Sequence, residues 1–284
     1  MDKKKGIVAY LFLLPFLSGM FIFYIIPFAM SIYYSFTKGI GDVEFVGFEN
    51  YLDLFNNDAF RLASKNTGVF IGISVPLIMI ISLGISMIIN EKLKGISFFR
   101  IVFTLPLVIP VVSIVLFWKI IFNENGVLNT VLSTFNVEGI NWLKSGYSIF
   151  ILSVLYLWKN CAYNIILFLV GLNNIPSVYY EASRVDGCGN LKRFTKITLP
   201  LLLPTTVLVF IVSIINCFKV YKEAYLLAGE YPSTSMYMLQ HFMNNNFENL
   251  NYQRLCTASI IVFTIITLLV YCILQYSKKR EVQY

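Results

Sequence analysis

Charge is scarce in this chain of 284 residues. Asp, Glu, Lys and Arg make up 13% of it, against 57% hydrophobic residues and a mean hydropathy of +0.72. Soluble domains carry about 25% charged residues, so this composition cannot cover an ordinary water-facing surface. Cysteine is thin as well. The five cysteines (161, 188, 217, 256, 272) form no C-x-x-C pair and mostly lie inside apolar stretches, which argues against structural disulfides and for small apolar filler. The single histidine, His241, has no ligand set at metal spacing, so no metal site is expected and it reads as a wet loop residue. No G-x-x-x-x-G-K-[ST] run occurs, so ATP hydrolysis at a P-loop of the chain's own is excluded. Neither a Ser/His/Asp set nor a working pair of carboxylates is present. No catalytic residue is assigned, and the chain is not read as an enzyme.

What the chain has instead is long uncharged runs: Ile7–Tyr34, Asn66–Asn90, Ile101–Trp118, Ile197–Phe218 and Leu255–Ser277. A sixth, Ser145–Tyr180, is broken only by Lys159. Roughly 20 apolar residues cross a bilayer as a helix, and the runs are continuous rather than alternating, which excludes a barrel. The expected fold is all-α: one polytopic transmembrane domain over 1–284, with spans at about 7–34, 67–90, 101–122, 147–173, 197–219 and 255–277. Lys3, Lys4 and Lys5 precede the first run. That run is far longer than the core of about 7–15 residues in a signal peptide, and no A-x-A follows, so it is read as a retained helix kinked at Pro15 and Pro27.

Loop charge gives an orientation. The N-terminus, 91–100, 174–199 and the C-terminal tail together hold 13 Lys/Arg and 5 acids, a net +8; all other residues hold 9 and 10, a net −1. The positive-inside rule puts the first set in the cytoplasm, both termini included. The basic balance is therefore a topology signal and no sign of nucleic-acid binding. None of the six expected spans contains Asp or Glu. Proton-coupled transport and carboxylate-ringed channels need such residues in the membrane, so the driving energy is expected from another polypeptide.

Between two spans stands EASRVDGCGNLKRFTKITLPLLLP, residues 181–204. Pro176 suits a helix start, and Val178, Ala182 and Val185 recur at helical spacing with Glu181, Arg184 and Asp186 on other faces. Gly187 and Gly189 then break the helix, and Asn190 caps a second short one through Phe194. From the residues alone this is either a rigid hairpin offered to a cytoplasmic partner or an interfacial anchor.

The stretch YYEASRVDGCGNLKRFTKITLPLLLP resembles the cytoplasmic EAA loop of binding-protein-dependent ABC importer permeases, whose pattern is E-A-A, D-G-A, then I-x-L-P. Glu181-Ala182-Ser183, Asp186-Gly187-Cys188 and Ile197-Thr198-Leu199-Pro200 carry the match, with Ser183 and Cys188 as small-for-small departures. The resemblance runs along nearly the whole chain and points to the carbohydrate-uptake, maltose-type branch. LPFLSGMFIFYIIPFAMSIYYSFT is similar to that branch's opening helix, in the first of its two paired permeases. LKGISFFRIVFTLPLVIPVVSIVLFWKIIFNENGVLN and WKNCAYNIILFLVGLNNIP resemble its later segments.

The resemblance implies the type I importer permease fold in a bacterial inner membrane and a coupling loop at 176–200. Glu181, Ala182, Ser183, Asp186, Gly187, Leu199 and Pro200 would meet the ATPase. The implied partners are a second permease, two ATPase subunits carrying ATP and Mg, and an extracellular solute-binding protein; this chain binds no cofactor itself. The implied cargo is a di- or oligosaccharide. Another polar solute, such as a polyol or glycerol phosphate, is the alternative within the class, and a sodium-coupled transporter or a scaffold the alternative outside it. One departure stands out. Relatives commonly follow the fifth helix with an aromatic–Asp pair and a GGGP turn, where this chain has Tyr221-Lys222 and Gly229-Glu230-Tyr231-Pro232.

Lys159 needs its own account, since a charge near mid-span costs roughly 2.5 kcal/mol or more. It either lines a polar pathway with Asn160, Tyr163, Asn164 and Asn216, or pairs with a backbone carbonyl or a partner's carboxylate to hold helices together. Spacing of i, i+4 puts Asn160 and Asn164 on one face.

Overall fold

A computed structural model describes residues 3–39, 43–90, 96–230 and 232–281. The loop 91–95, counted above on the basic side, and Tyr231 lie outside the described residues.

The chain opens with α1 (Lys3–Met20), a π-helical turn (Phe21–Ile25) and α2 (Ile26–Ser35). A proline removes an N–H and crowds the carbonyl four residues back, and the widened turn ends two residues ahead of Pro27. A two-stranded ribbon follows, β1 (Thr37–Lys38) and β2 (Glu44–Phe45), antiparallel with Thr37 opposite Phe45. After α3 (Glu49–Phe55) come the long α4 (Asp58–Asn90), α5 (Ile96–Thr104), α6 (Val111–Phe122), α7 (Val127–Ser133) and α8 (Ser148–Asn173). The short α9 (Ser177–Val185), α10 (Asn190–Arg193) and α11 (Leu199–Leu201) lead into α12 (Leu203–Phe218), α13 (Tyr221–Ala228), α14 (Leu239–Glu248) and α15 (Tyr252–Glu281). Among the described residues, six helical stretches are long and apolar enough to cross a membrane: Phe12–Ser35, Asp58–Asn90, Val111–Ser133, Ser148–Asn173, Leu203–Ala228 and Tyr252–Lys279. The fold is all-α with six candidate spans.

Three spans differ clearly in extent from those expected. The second, expected from 67, starts at Asp58. The third span, expected from 101, is divided: α5 ends at Thr104, a 3₁₀ turn covers Leu105–Leu107, and α6 starts at Val111 behind Pro110. A run drawn by the absence of charge passes over Pro106 and Pro110, whereas the backbone loses a donor at each. The fifth span, expected at 197–219, starts at Leu203 and continues through α13 to Ala228. It therefore contains Glu223, which together with Asp58 at the start of the second span corrects the expectation of acid-free spans.

The chain forms two compact units. In the first (Met1–Arg61 with Met243–Thr267), the buried Asn50 amide donates to Ser35 O and Thr37 O at 3.0 and 2.9 Å, closing the ribbon's base. Lys38 bridges Glu49 (2.5 Å) and Asp53 (3.1 Å), which hold its ammonium above the usual lysine pKa.

The second unit (Leu62–Phe242 with Leu268–Tyr284) is built around α8. Ile151, Leu152, Leu155 and Ile165 of α8 are buried, packed with Phe70 and Ile78 of α4, Ile114 of α6 and Ile214 of α12. In lipid, helices associate through small residues and hydrogen bonds rather than apolar burial, and both occur here. Tyr156 OH donates to Ser213 O at 2.9 Å, and Ser74 Oγ to Ser153 Oγ at 3.2 Å. At the far end of α8, a Cβ added to Gly171 would stand 2.5 Å from Thr205 Oγ1 and 2.7 Å from Leu202 Cδ1. Glycine lets α8 and α12 touch there.

Candidate functional site

Two places in the second unit carry chemistry. The first is the charged hairpin. Pro176 precedes α9, whose end is closed by a double hydrogen bond: Gly187 N–H donates to Arg184 O (3.1 Å) and Cys188 N–H to Ser183 O (2.9 Å). This glycine-dependent stop requires a left-handed residue, and Gly187 has φ +69°. Gly189, one residue earlier than expected, occupies the cap position of α10, and Asn190 is its first residue, accepting from Arg193 Nη2 at 2.5 Å. Tyr180 OH and Thr198 Oγ1 meet at 3.1 Å across the base, where Tyr180 also packs on Phe168, Leu172 and Leu202. A second π-helical turn, Phe194–Thr198, ends two residues ahead of Pro200, as the first does ahead of Pro27.

Of the residues expected to meet the ATPase, Glu181, Ala182, Asp186, Gly187 and Leu199 are exposed and Pro200 is half-buried. Ser183 is buried, its hydroxyl donating to Tyr180 O at 2.8 Å, so it serves the hairpin's interior. The apolar positions on α9 are uncovered: Val178 is 63% exposed and Val185 88%.

The second place is a cavity of about 410 Å³ between α8, α12, α13 and α14. Lys159, Asn160 and Asn216 line it together with Lys219, Lys222 and Glu223. Gln240 of α14 and Tyr221 complete its polar wall. Lys159 Nζ forms an ion pair with Glu223 Oε1; the lysine side chain is 26% exposed and the glutamate 5%. Glu223 Oε2 is buried and has no hydrogen-bond partner among the described residues. Lys159 thus finds its counter-charge within the chain, on α13, and borders a polar cavity as well. Asn160 lies on the wall, donating to Tyr156 O at 3.0 Å.

The pathway set is only partly assembled here. Asn164 is buried, donating to Ser213 Oγ at 2.9 Å, and ties α8 to α12. Tyr163 is exposed and is not part of the wall. Glu223, Lys219 and Gln240 were not singled out from the sequence, and Lys222 only as a departure after the fifth helix. The available signal was Lys159 itself, a mid-span charge in want of an acid. His241 is corrected too. It is fully buried between the rings of Tyr221 (5.1 Å) and Tyr237 (5.9 Å), and burial lowers its pKa to about 4. Its Nδ1 accepts from Met238 N–H at 3.3 Å, which puts the ring proton on Nε2. A second cleft of about 370 Å³, bounded by Met79, Val207, Phe210 and Ile273, is apolar and offers nothing to a polar solute.

The family described as "Binding-protein-dependent transport system inner membrane component" matches residues 80–282. The chain belongs to that family. As a permease it is a membrane-spanning transport component of an ABC importer, not itself an enzyme. It is 32% identical over 234 residues to the trehalose/maltose transport system permease protein MalF of Thermococcus litoralis, covering 81% of this chain and 79% of that one. It is 33% identical over 232 residues to the arabinooligosaccharides transport system permease protein AraP of Bacillus subtilis, covering 79% and 73%. Its fold matches a chain of a crystallised bacterial ABC transporter that imports the acidic polysaccharide alginate: TM-score 0.84, 22% identity, 97% of this permease and 96% of that chain.

Proposed function

We propose that this permease forms one half of the translocation pathway of an ATP-driven importer for di- or oligosaccharides. Its cytoplasmic hairpin receives the push of an ATPase subunit, and an extracellular solute-binding protein delivers the cargo to a pore completed by a second permease. The observation that carries the reading is the hairpin. It is a helix–glycine–helix element closed at its base by Tyr180–Thr198 and packed through Tyr180 against the cluster that includes Phe168 and Leu172 of α8 and Val209 of α12, with Val178, Val185 and the Glu181–Asp186 acids turned outward. An anchor would bury that apolar row in its own chain or in lipid without needing a rigid base. A coupling element must bind two states of a partner differently and move as a body. The relatives named for trehalose/maltose and arabinooligosaccharides support carbohydrate as the cargo class. The amide-rich wall of Asn160, Asn216 and Gln240 supplies the hydrogen bonds that sugar hydroxyls need.

The test is purification of the tagged permease from its native host, followed by reconstitution with whatever co-purifies. An ATPase subunit in the complex, and ATP-dependent uptake of labelled oligosaccharides, are expected. A complex without an ATPase would refute the importer reading, and uptake of polyols or glycerol phosphate alone would refute carbohydrate.

A further inference from the structure

The cavity holds more positive charge than a neutral sugar needs. Three lysines (159, 219, 222) and one acid (Glu223) line it, a net of +2. Lys159 is neutralised by Glu223. Lys219 and Lys222 are exposed, and neither meets a carboxylate within ion-pair distance among the described residues. The other polar groups on the wall are uncharged: Asn160, Asn216, Gln240 and Tyr221.

The two lysines stand at the junction of α12 and α13: Lys219 caps the C-terminal end of α12, and Lys222 is in the first turn of α13, at a helix end whose dipole repels positive charge. They lie three residues apart, lining one cavity, so each also raises the cost of the other. The buried ion pair beside them cannot relieve this, because its charges already cancel. An anion between the two lysines would.

We propose that the solute carried through this cavity is an anionic glycan, a sugar bearing carboxylate, sulfate or phosphate groups. Its acid groups meet Lys219 and Lys222 while its hydroxyls bond to Asn160, Asn216 and Gln240. This rests on the reading of the permease as a carbohydrate importer. It adds a charge requirement that the neutral wall alone does not impose.

The experiment uses the complete complex, with ATPase and binding protein, in proteoliposomes. They receive a mixture of labelled neutral and uronate- or sulfate-bearing di- to tetrasaccharides, and the acidic-to-neutral ratio inside is measured. The ratio is internal to each preparation, so differences in yield do not enter it. The expected wild-type ratio favours acidic glycans by about tenfold or more, and it falls as salt rises because the lysines are solvent-accessible. Lys219→Gln/Lys222→Gln is expected to lower the ratio about tenfold, with Lys219→Arg/Lys222→Arg keeping it. An unchanged ratio in the glutamine variant, even with acidic cargo favoured, would place the preference in the binding protein and overturn the proposal. Equal accumulation of neutral glycans would overturn it while leaving the carbohydrate reading intact. Accumulation of no glycan by a complex that hydrolyses ATP would overturn the carbohydrate reading itself.

Discussion

Replacing Lys159 by Met tests the ion pair from its costly side. The pair is asymmetric: Glu223 is 5% exposed at its side chain and Lys159 26%. Glu223 Oε2 already lacks a partner, and Lys159 supplies the bond to Oε1. Lys159→Met therefore leaves a buried carboxylate with nothing at either oxygen, a change that typically costs about 3–5 kcal/mol. Glu223→Gln leaves the lysine beside a polar cavity, where water and the Asn160 and Asn216 amides are within its environment, so the loss there is about 1–2 kcal/mol. The double variant Lys159→Met/Glu223→Gln removes both charges and is expected to fall back to about the loss of Glu223→Gln, giving a coupling of about 3–5 kcal/mol. At roughly 2 °C per kcal/mol for a chain of this size, the midpoint of thermal unfolding in detergent should fall by about 6–10 °C for Lys159→Met. Glu223→Gln should lower it by about 2–4 °C, and the double variant should lie near the latter. Equal, additive losses in the two single variants would refute the asymmetry. No loss in Lys159→Met would mean that the pair does not hold α8 to α13.

Gly187→Val should leave the protein inserted while abolishing ATP hydrolysis stimulated by loaded binding protein. Its added Cβ meets nothing within 4 Å, so the damage is the left-handed backbone at φ +69°, about 1–2 kcal/mol for an L-residue, which shifts the hairpin rather than the spans; full stimulation would refute the coupling role. His241 has a pKa lowered from 6.5 to about 4. The unfolded chain therefore binds a proton before the folded one does, so stability is complete above about pH 6.5 and is lost as pH falls toward 4, by about 3 kcal/mol at the end. His241→Gln should flatten that part of a stability–pH curve, and an unaltered slope would clear the histidine. Cys188, half-buried at the hairpin's turn, should react with membrane-impermeant thiol reagents only in permeabilised cells when the other cysteines are removed; labelling from outside would reverse the orientation drawn from loop charge.

The hairpin was legible because glycine and proline act on the backbone directly. Pro176, Gly187 and Pro200 impose their turns whatever surrounds them, and only the α10 cap moved, by one residue. Six spans were legible because length and apolarity are local quantities. The site was harder to read, since it depends on which helix faces which. Spacing put Asn160 and Asn164 on one side of α8, but one turn further along that side is covered by Ser213 of α12, and only Asn160 reaches the cavity. Glu223 was hidden because the uncharged run ends at Phe218, while the helix resumes at Tyr221 and carries a charge inward that its partner neutralises. His241 is buried by Tyr221 and Tyr237, and nothing in its immediate sequence announces that pairing.

The widened turn at Phe194–Thr198 has a bearing on how such proteins diverge. A π-turn holds one residue more than an α-turn, so it is a place where a lineage can lose or gain a single amino acid without breaking a helix. Such a change turns everything on one side of it by about 100° relative to the other. Here one side is α10, with Lys192 and Arg193, and the other is α12, fixed in the core by Val209 and by Leu202 just ahead of it. An indel at this turn would re-aim the basic arm of the hairpin while the membrane helices keep their places. On the proposed coupling role, recognition of one ATPase over another would then change in a single step, with no residue of the cavity wall altered.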